Sequence, residues 1–400
     1  MSCPHPWRAW LSVPIVLALV ACASLPRDPV PPQLVDDAAV LEGADVRFWG
    51  DRAPPNMDAL AAEKWAQVRA TRPYLLTKGK RPTISFLAIS GGGSDGAFGA
   101  GLLTGWSARG NRPEFDIVTG VSTGALTAPF AFLGRRHDPA LKAVYTTYST
   151  DQLVSKHPVR GLLGGDSLSS NAPLANVIAS YVDGAFMEEV AREHAKGRRL
   201  LIGTTNLDAQ RPVIWDMGRI ASSGDPQALA LFRNVLLASA AIPGVFPPVY
   251  IKVLVEGQMD EEMHVDGGTT NQVFLLPTQI KAGNITAKLG VDPVRRLYII
   301  RNGRVSPEFK VVKANTLAIA GRSISTLIKT QGIGDLYQMY EFARNNGIEY
   351  NLAYIPGDFP DTSTEAFDRN YMSQLFELGF KQGKSGTEWK KKPPRLGNTP

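Results

Sequence analysis

The sequence predicts a three-layer α/β/α sandwich on a mostly parallel central sheet. Three observations predict it. Short apolar runs, Thr83 to Ile89 and Arg296 to Arg301, have the length and continuous hydrophobicity of strands buried on both faces. Stretches of helical spacing separate such runs from about residue 82 onward. Glycine-rich turns, at Gly91–Gly93 and Gly120–Gly124, stand where a strand hands over to a helix.

The first 21 residues stand apart from that fold. His5 and Arg8 make a weakly basic start, and Trp10 to Ala21 is apolar apart from Ser12 but too short to span a bilayer. The stretch closes Leu19-Val20-Ala21-Cys22, which resembles the lipobox of bacterial lipoproteins. That resemblance implies cleavage before Cys22 and lipid on its thiol. An ordinary signal peptide with an incidental cysteine is the plainer alternative. Ala23 follows with no Asp, which in the lipoprotein pattern implies an outer-membrane anchor facing the periplasm. Cys3 lies in the removed segment, so a lipidated mature chain has no disulfide and is held by its core alone. Pro26, Pro29, Pro31 and Pro32 make residues 22–45 read as an extended tether. Residues 46–384 then form one large domain with its core at about 82–300, and 385–400 a basic, disordered tail.

Along the domain, Met57 to Arg69 has helical spacing. Thr83 to Ile89 is the first buried strand. After the glycine loop comes a small-residue helix, from Ala97 to about Ala108. Phe115 to Val118 is the next strand, Gly120 to Gly124 a sharp turn, and a helix follows to about Leu133, with Pro129 removing one of its donors. Arg199 to Asn206 and Arg211 to Trp215 read as strands. Asp225-Pro226 reads as an N-cap and first-turn proline for a helix to about Ala238. Val249 to Val255 pairs with Glu262 to Val265. Arg296 to Arg301 is another buried strand, Thr316 to Ala343 is mostly helical, and Ser363 or Thr364 caps a last helix to about Lys381.

Composition excludes one class of partner. The chain is 44% hydrophobic and 20% charged, with a net charge of +6. Its basic residues are dispersed rather than gathered on a stripe, so no nucleic acid is expected.

Gly120-Val121-Ser122-Thr123-Gly124 is G-x-S-x-G. A strand ends, the chain reverses, and a helix begins, which exposes the serine on a strained turn. The serine needs a base. No histidine lies beyond residue 264, so the usual order of serine, acid, histidine leaves only pairs such as Asp208 with His264, which stay formally open. His137, His157 and His194 stand in polar stretches and read as structural or surface residues. Asp266, at a strand end before Gly267-Gly268, is the other candidate base. Partial desolvation would raise its pKa into the working range. Gly91, Gly92 and Gly93 read as backbone donors for an oxyanion. The same loop matches G-x-G-x-x-G, but Asp116, the acid about twenty residues on, starts its strand instead of ending it, which disfavours a dinucleotide. No Lys-Ser or Lys-Thr follows the glycines, so it is not a P-loop.

Gly91 to Gly96, Gly120 to Gly124, Ala238 to Pro248 and Asp266-Gly267-Gly268 occur in that order and together resemble the patatin-like phospholipase family. The resemblance covers residues 83 to 300 well and runs more loosely to about 380. It implies a patatin-like α/β/α sandwich and a lipid acyl hydrolase with Ser122 as nucleophile, Asp266 as base and the amides of Gly91–Gly93 as oxyanion hole. It implies a membrane lipid or other acyl ester as substrate, and no metal or organic cofactor. Two departures stand out. Where the family reads D-G-G-G-x-R-G, Ser90 replaces the first Asp and Asp95 the Arg. The same residues also accommodate an acyltransferase, with an alcohol in place of water, and a lipid-binding lipoprotein that has lost activity.

Overall fold

The computed structural model describes residues 27–77, 81–156, 169–277, 279–280 and 292–395. The signal segment, Cys22, His157 and the last five residues lie outside them.

The strands are β1 (Arg47–Trp49), β2 (Thr83–Ile89), β3 (Ile117–Val121), a short ribbon of β4 (Ser155–Lys156) and β5 (Ser169–Ser170), β6 (Arg199–Asn206), β7 (Arg211–Asp216), β8 (Val249–Val255), β9 (Gln258–Asp266), β10 (Val294–Arg301) and β11 (Ile348–Tyr354). The main sheet runs β1-β7-β6-β3-β2-β10-β11, with the β8–β9 hairpin joined to β6. From β6 to β11 its strands are parallel, while β1, β7 and β9 run antiparallel to their neighbours.

Alternation along β2 explains the layers. Leu87 and Ile89 face one core with Phe98, Leu102 and Phe376. Phe86 and Ala88 face a second core with Trp65, Leu336 and Phe342. Helices cover both faces, as a parallel sheet requires. The first layer contains α2 (Gly96–Arg109), α3 (Thr123–Leu133) and the last helix, Arg369–Ser385. The second contains α1 (Met57–Thr71) and the long helix Thr316–Asn345. The small residues of α2 have a packing reason. A Cβ on Gly101 or Gly105 would fall 2.0 Å from the Phe376 carbonyl oxygen or 2.1 Å from that of Phe380, so the two helices touch backbone to backbone.

Several expectations need correction. The strand before the nucleophile starts at Ile117 and runs through Gly120 and Val121, so the reversal is confined to Ser122. The helix Ala228–Ser239 starts after Asp225, whose carboxylate accepts from the Gln227 N–H a turn earlier (2.7 Å). The last helix is capped by Asp368, which accepts from Asn370 and Tyr371; Ser363 and Thr364 lie ahead of it. The region read as a tether packs on the β8–β9 hairpin: Ala39 and Leu254 exchange backbone bonds (3.0 and 2.7 Å), and Val30 is buried. The tail is also folded as far as it is described. Leu352 and Lys390 exchange backbone bonds, and Trp389 packs on Trp106 and Tyr298. Among the described residues, strands β1, β4, β5 and β11 and five helices, 138–146, 150–153, 172–181, 184–195 and 217–222, were not anticipated at all.

Candidate active site

Ser122 sits between β3 and α3 with φ +56°, a conformation that a side chain disfavours and a tight elbow demands. Its N–H donates to Ser239 Oγ (3.0 Å), and Ser239 Oγ donates to the Gly203 carbonyl (2.6 Å). The elbow is thus pinned to β6 through Ser239.

Register brings the carboxylate to the hydroxyl. On β6, Gly203 pairs with Val121, the last residue of β3. The next residue, Thr204, pairs with Asp266, because β9 takes over the edge that β3 has vacated. Ser122 and Asp266 therefore meet, and Ser122 Oγ donates to Asp266 Oδ2 at 2.6 Å across 144 positions of chain. The other oxygen, Oδ1, accepts from the Gly268 N–H (2.7 Å). Asp266 makes the aspartate turn and holds the serine at once. Burial pushes its pKa up to about 7, against the pull of the Ser122 hydroxyl and the Gly268 amide.

The glycine loop passes directly over this pair. A Cβ on Gly91 would lie 3.1 Å from Ser122 Cβ, and one on Gly92 would lie 2.0 Å from the Asn302 carbonyl oxygen. The Gly91 N–H is already given to the Gln272 carbonyl (3.0 Å), so Gly91 is a poor oxyanion donor. The N–H groups of Gly92 and Gly93 have no protein acceptor among the described residues. Thr123, as first residue of α3, adds a helix N-terminal amide beside Ser122 with no protein acceptor among the described residues.

Three residues not singled out from sequence hold the loop. Asn302 donates to the Ser90 carbonyl (2.9 Å) and, through its backbone N–H, to Ser90 Oγ (2.8 Å). Gln272 donates to the Gly268 carbonyl (2.9 Å), and Asp335 accepts from the Gln272 N–H (2.6 Å). Asn302 and Gln272 had only their closeness to Arg301 and Asp266 as a sequence signal, and Asp335, within the long helix, had none. Ser90, in place of the family's Asp, is fully buried. Asp95 makes no helix-capping bond; it accepts from Tyr371 Oη (2.6 Å), and burial raises its pKa to about 6.

The histidine alternative is not built. His264 is wholly buried, with Nδ1 against Thr204 Oγ1 (2.9 Å) and Nε2 against Glu262 (3.0 Å), and Asp208 pairs with Arg27. His194, read as a structural or surface residue, is buried beside Gly218. His137 pairs with Glu189 (2.8 Å). Among the described residues no histidine bonds Ser122.

Beside Ser122 opens a narrow cleft lined by Leu126, Phe130, Leu174, Ile178, Leu236 and Phe246 among others. Its wall is almost wholly apolar, and Gly93, Ser122 and Thr123 contribute to it.

Residues 87–278 match the model of the patatin-like phospholipase family. No curated protein matches the sequence. Among solved structures, VipD from Legionella pneumophila is similar at 11% identity and a TM-score of 0.35, over 76% of this chain and 66% of that one. Human GIVD cytosolic phospholipase A2 is similar at 9% identity and a TM-score of 0.36, over 86% and 64%. The chain spans slightly less than two thirds of the length of both.

Proposed function

The chain belongs, through residues 87–278, to the patatin-like phospholipase family, and from that premise we propose that it is a serine acyl hydrolase of lipid carboxylic esters working through a Ser122–Asp266 dyad. The observation that carries this reading is the 2.6 Å contact between Ser122 Oγ and a buried Asp266 beside an apolar cavity.

Ionised Asp266 takes the Ser122 proton as Oγ attacks the ester carbonyl. The negative charge that develops on the carbonyl oxygen faces the N–H groups of Gly92 and Gly93, with the Thr123 amide behind the nucleophile. The departing alcohol takes the proton back from Asp266, leaving Ser122 acylated. Asp266 then draws a proton from water, which attacks the acyl-enzyme, and returns it to Ser122 Oγ as that oxygen leaves and the fatty acid is freed. The acyl chain lies in the cavity along Leu126, Phe130 and Ile178, which offers it contact and no polar competitor. With an added alcohol acceptor, product analysis separates hydrolysis from acyl transfer.

Ser122→Ala should lower turnover of a chromogenic long-chain ester by roughly a thousandfold or more with circular dichroism unchanged. Equal turnover by wild type and variant overturns the reading. We also propose that Cys22 carries a lipid anchor at the outer membrane, supported by Leu19-Val20-Ala21-Cys22. Cys22→Ser should then release the protein from membranes, and an unchanged membrane fraction would contradict that.

A further inference from the structure

The stretch from Phe309 to Gly334 contains no acidic residue and four basic ones, Lys310, Lys313, Arg322 and Lys329. It leaves the C-terminal end of β10 as a loop and becomes the first half of the helix Thr316–Asn345. Large apolar side chains along it face water: Phe309 is 95% exposed, Val311 81%, Leu327 69%, Ile319 53% and Ile324 52%. Single exposed apolar residues are ordinary, but six within nineteen consecutive positions, Val312 included, form a patch that asks for a partner. On the helix, Ile319, Leu327 and Ile324 fall within an arc of about 140° at 100° per residue. The cations divide their work. Arg322 and Lys329 turn toward Glu308, whereas Lys310 and Lys313 make no ion pair among the described residues.

This patch borders the cleft. The C-terminal ends of β2, β3 and β10 share one edge of the sheet, and that edge carries the glycine loop, Ser122 and this protrusion. Glu308, next to Phe309, is near enough to Asp95 to act on its charge, and Gln331 donates to the Thr270 carbonyl just past the Asp266 turn.

We propose that this protrusion is the surface by which the protein docks on an anionic lipid bilayer, with the mouth of the Ser122 cleft turned to the membrane. The inference rests on the lipid-hydrolase reading and names where its substrate lies. Charge decides the occupant: free lysines without acids, flanking apolar side chains, suit a negatively charged interface into which the apolar groups insert. Among the described residues no helix is long and apolar enough to cross a membrane, so the contact is with the surface.

The test uses the full chain carrying Cys22→Ser, so that no N-terminal lipid contributes, and Ser122→Ala, so that binding is read without chemistry. Sedimentation is measured with phosphatidylcholine vesicles with and without phosphatidylglycerol. Binding should require phosphatidylglycerol and weaken with salt. Phe309→Asp with Leu327→Asp, and separately Lys310→Glu with Lys313→Glu, should each weaken binding by roughly tenfold or more. With Ser122 restored, both variants should cleave a water-soluble short-chain ester at the wild-type rate. Vesicle binding that is absent, or unaffected by both pairs, overturns the proposal. A dimer in solution that the Phe309 and Leu327 changes dissociate also overturns it, by giving the face to a second copy. Failure of the hydrolase reading would show instead as soluble-ester cleavage that survives Ser122→Ala.

Discussion

Asp266→Asn should stabilise the protein above neutral pH while abolishing ester cleavage. The carboxyl is 5% exposed, and burial, only partly offset by the Ser122 hydroxyl and the Gly268 amide, takes its pKa from 3.8 to about 7. Between those values the folded protein keeps a proton that the unfolded chain has released, so stability falls as pH rises through that window. A rise of about three pH units at about 1.4 kcal/mol each makes ionised Asp266 cost ~4 kcal/mol above pH 7, of which roughly 2 kcal/mol is already present near pH 5. Asparagine keeps the shape, accepts the Gly268 N–H and carries no charge. Guanidinium unfolding of both proteins at about pH 5 and about pH 8 reads the effect, because every other titrating group is common to the two. The stability of the variant relative to wild type should grow by about 2–3 kcal/mol between those conditions. A difference that stays level across them would refute the reasoning that burial has raised this carboxyl's proton affinity.

Three further outcomes are expected. The kcat/KM for ester cleavage should rise with pH through an apparent pKa of about 7, since only ionised Asp266 accepts the serine proton; a flat profile between about pH 5 and about pH 8 speaks against that base. Gly101→Ala would set a Cβ 2.0 Å from the Phe376 carbonyl oxygen and push two helices apart, costing on the order of 1–3 kcal/mol or more in chemical unfolding; unchanged stability would contradict the close packing. Ile178→Trp should fill the cavity beside Ser122 and cut long-chain relative to short-chain ester cleavage by about tenfold or more; an unchanged ratio would place the acyl chain elsewhere.

What was legible in the sequence was local. Thr83–Ile89 and Arg199–Asn206 form strands with the bounds their apolar runs predict. Turn chemistry marked Ser122 and Asp266, because glycines flank both where a strand ends. What was not legible depends on register and long-range packing. The pairing of Thr204 with Asp266, which delivers the carboxylate, follows from where β3 stops on β6 and has no local sign. Ser239 and Gln272 are ordinary polar residues until the fold aims them at the Ser122 amide and the Gly268 carbonyl. The proline-rich segment before residue 46 looks like a linker by composition, yet Val30 buries itself against Val253 and Val255, because β8 offers it an apolar face, and Leu41 joins the main core. Strand β11 alternates apolar and polar residues only from Ile348 to Leu352, a short signal directly after a long helix.

The most direct measurement is covalent. A fluorophosphonate added to the wild-type protein should leave its adduct on the peptide containing Ser122, and Asp266→Asn should slow that labelling strongly. An adduct on a different residue, or none at all on a folded protein, would contradict a nucleophile activated at this elbow.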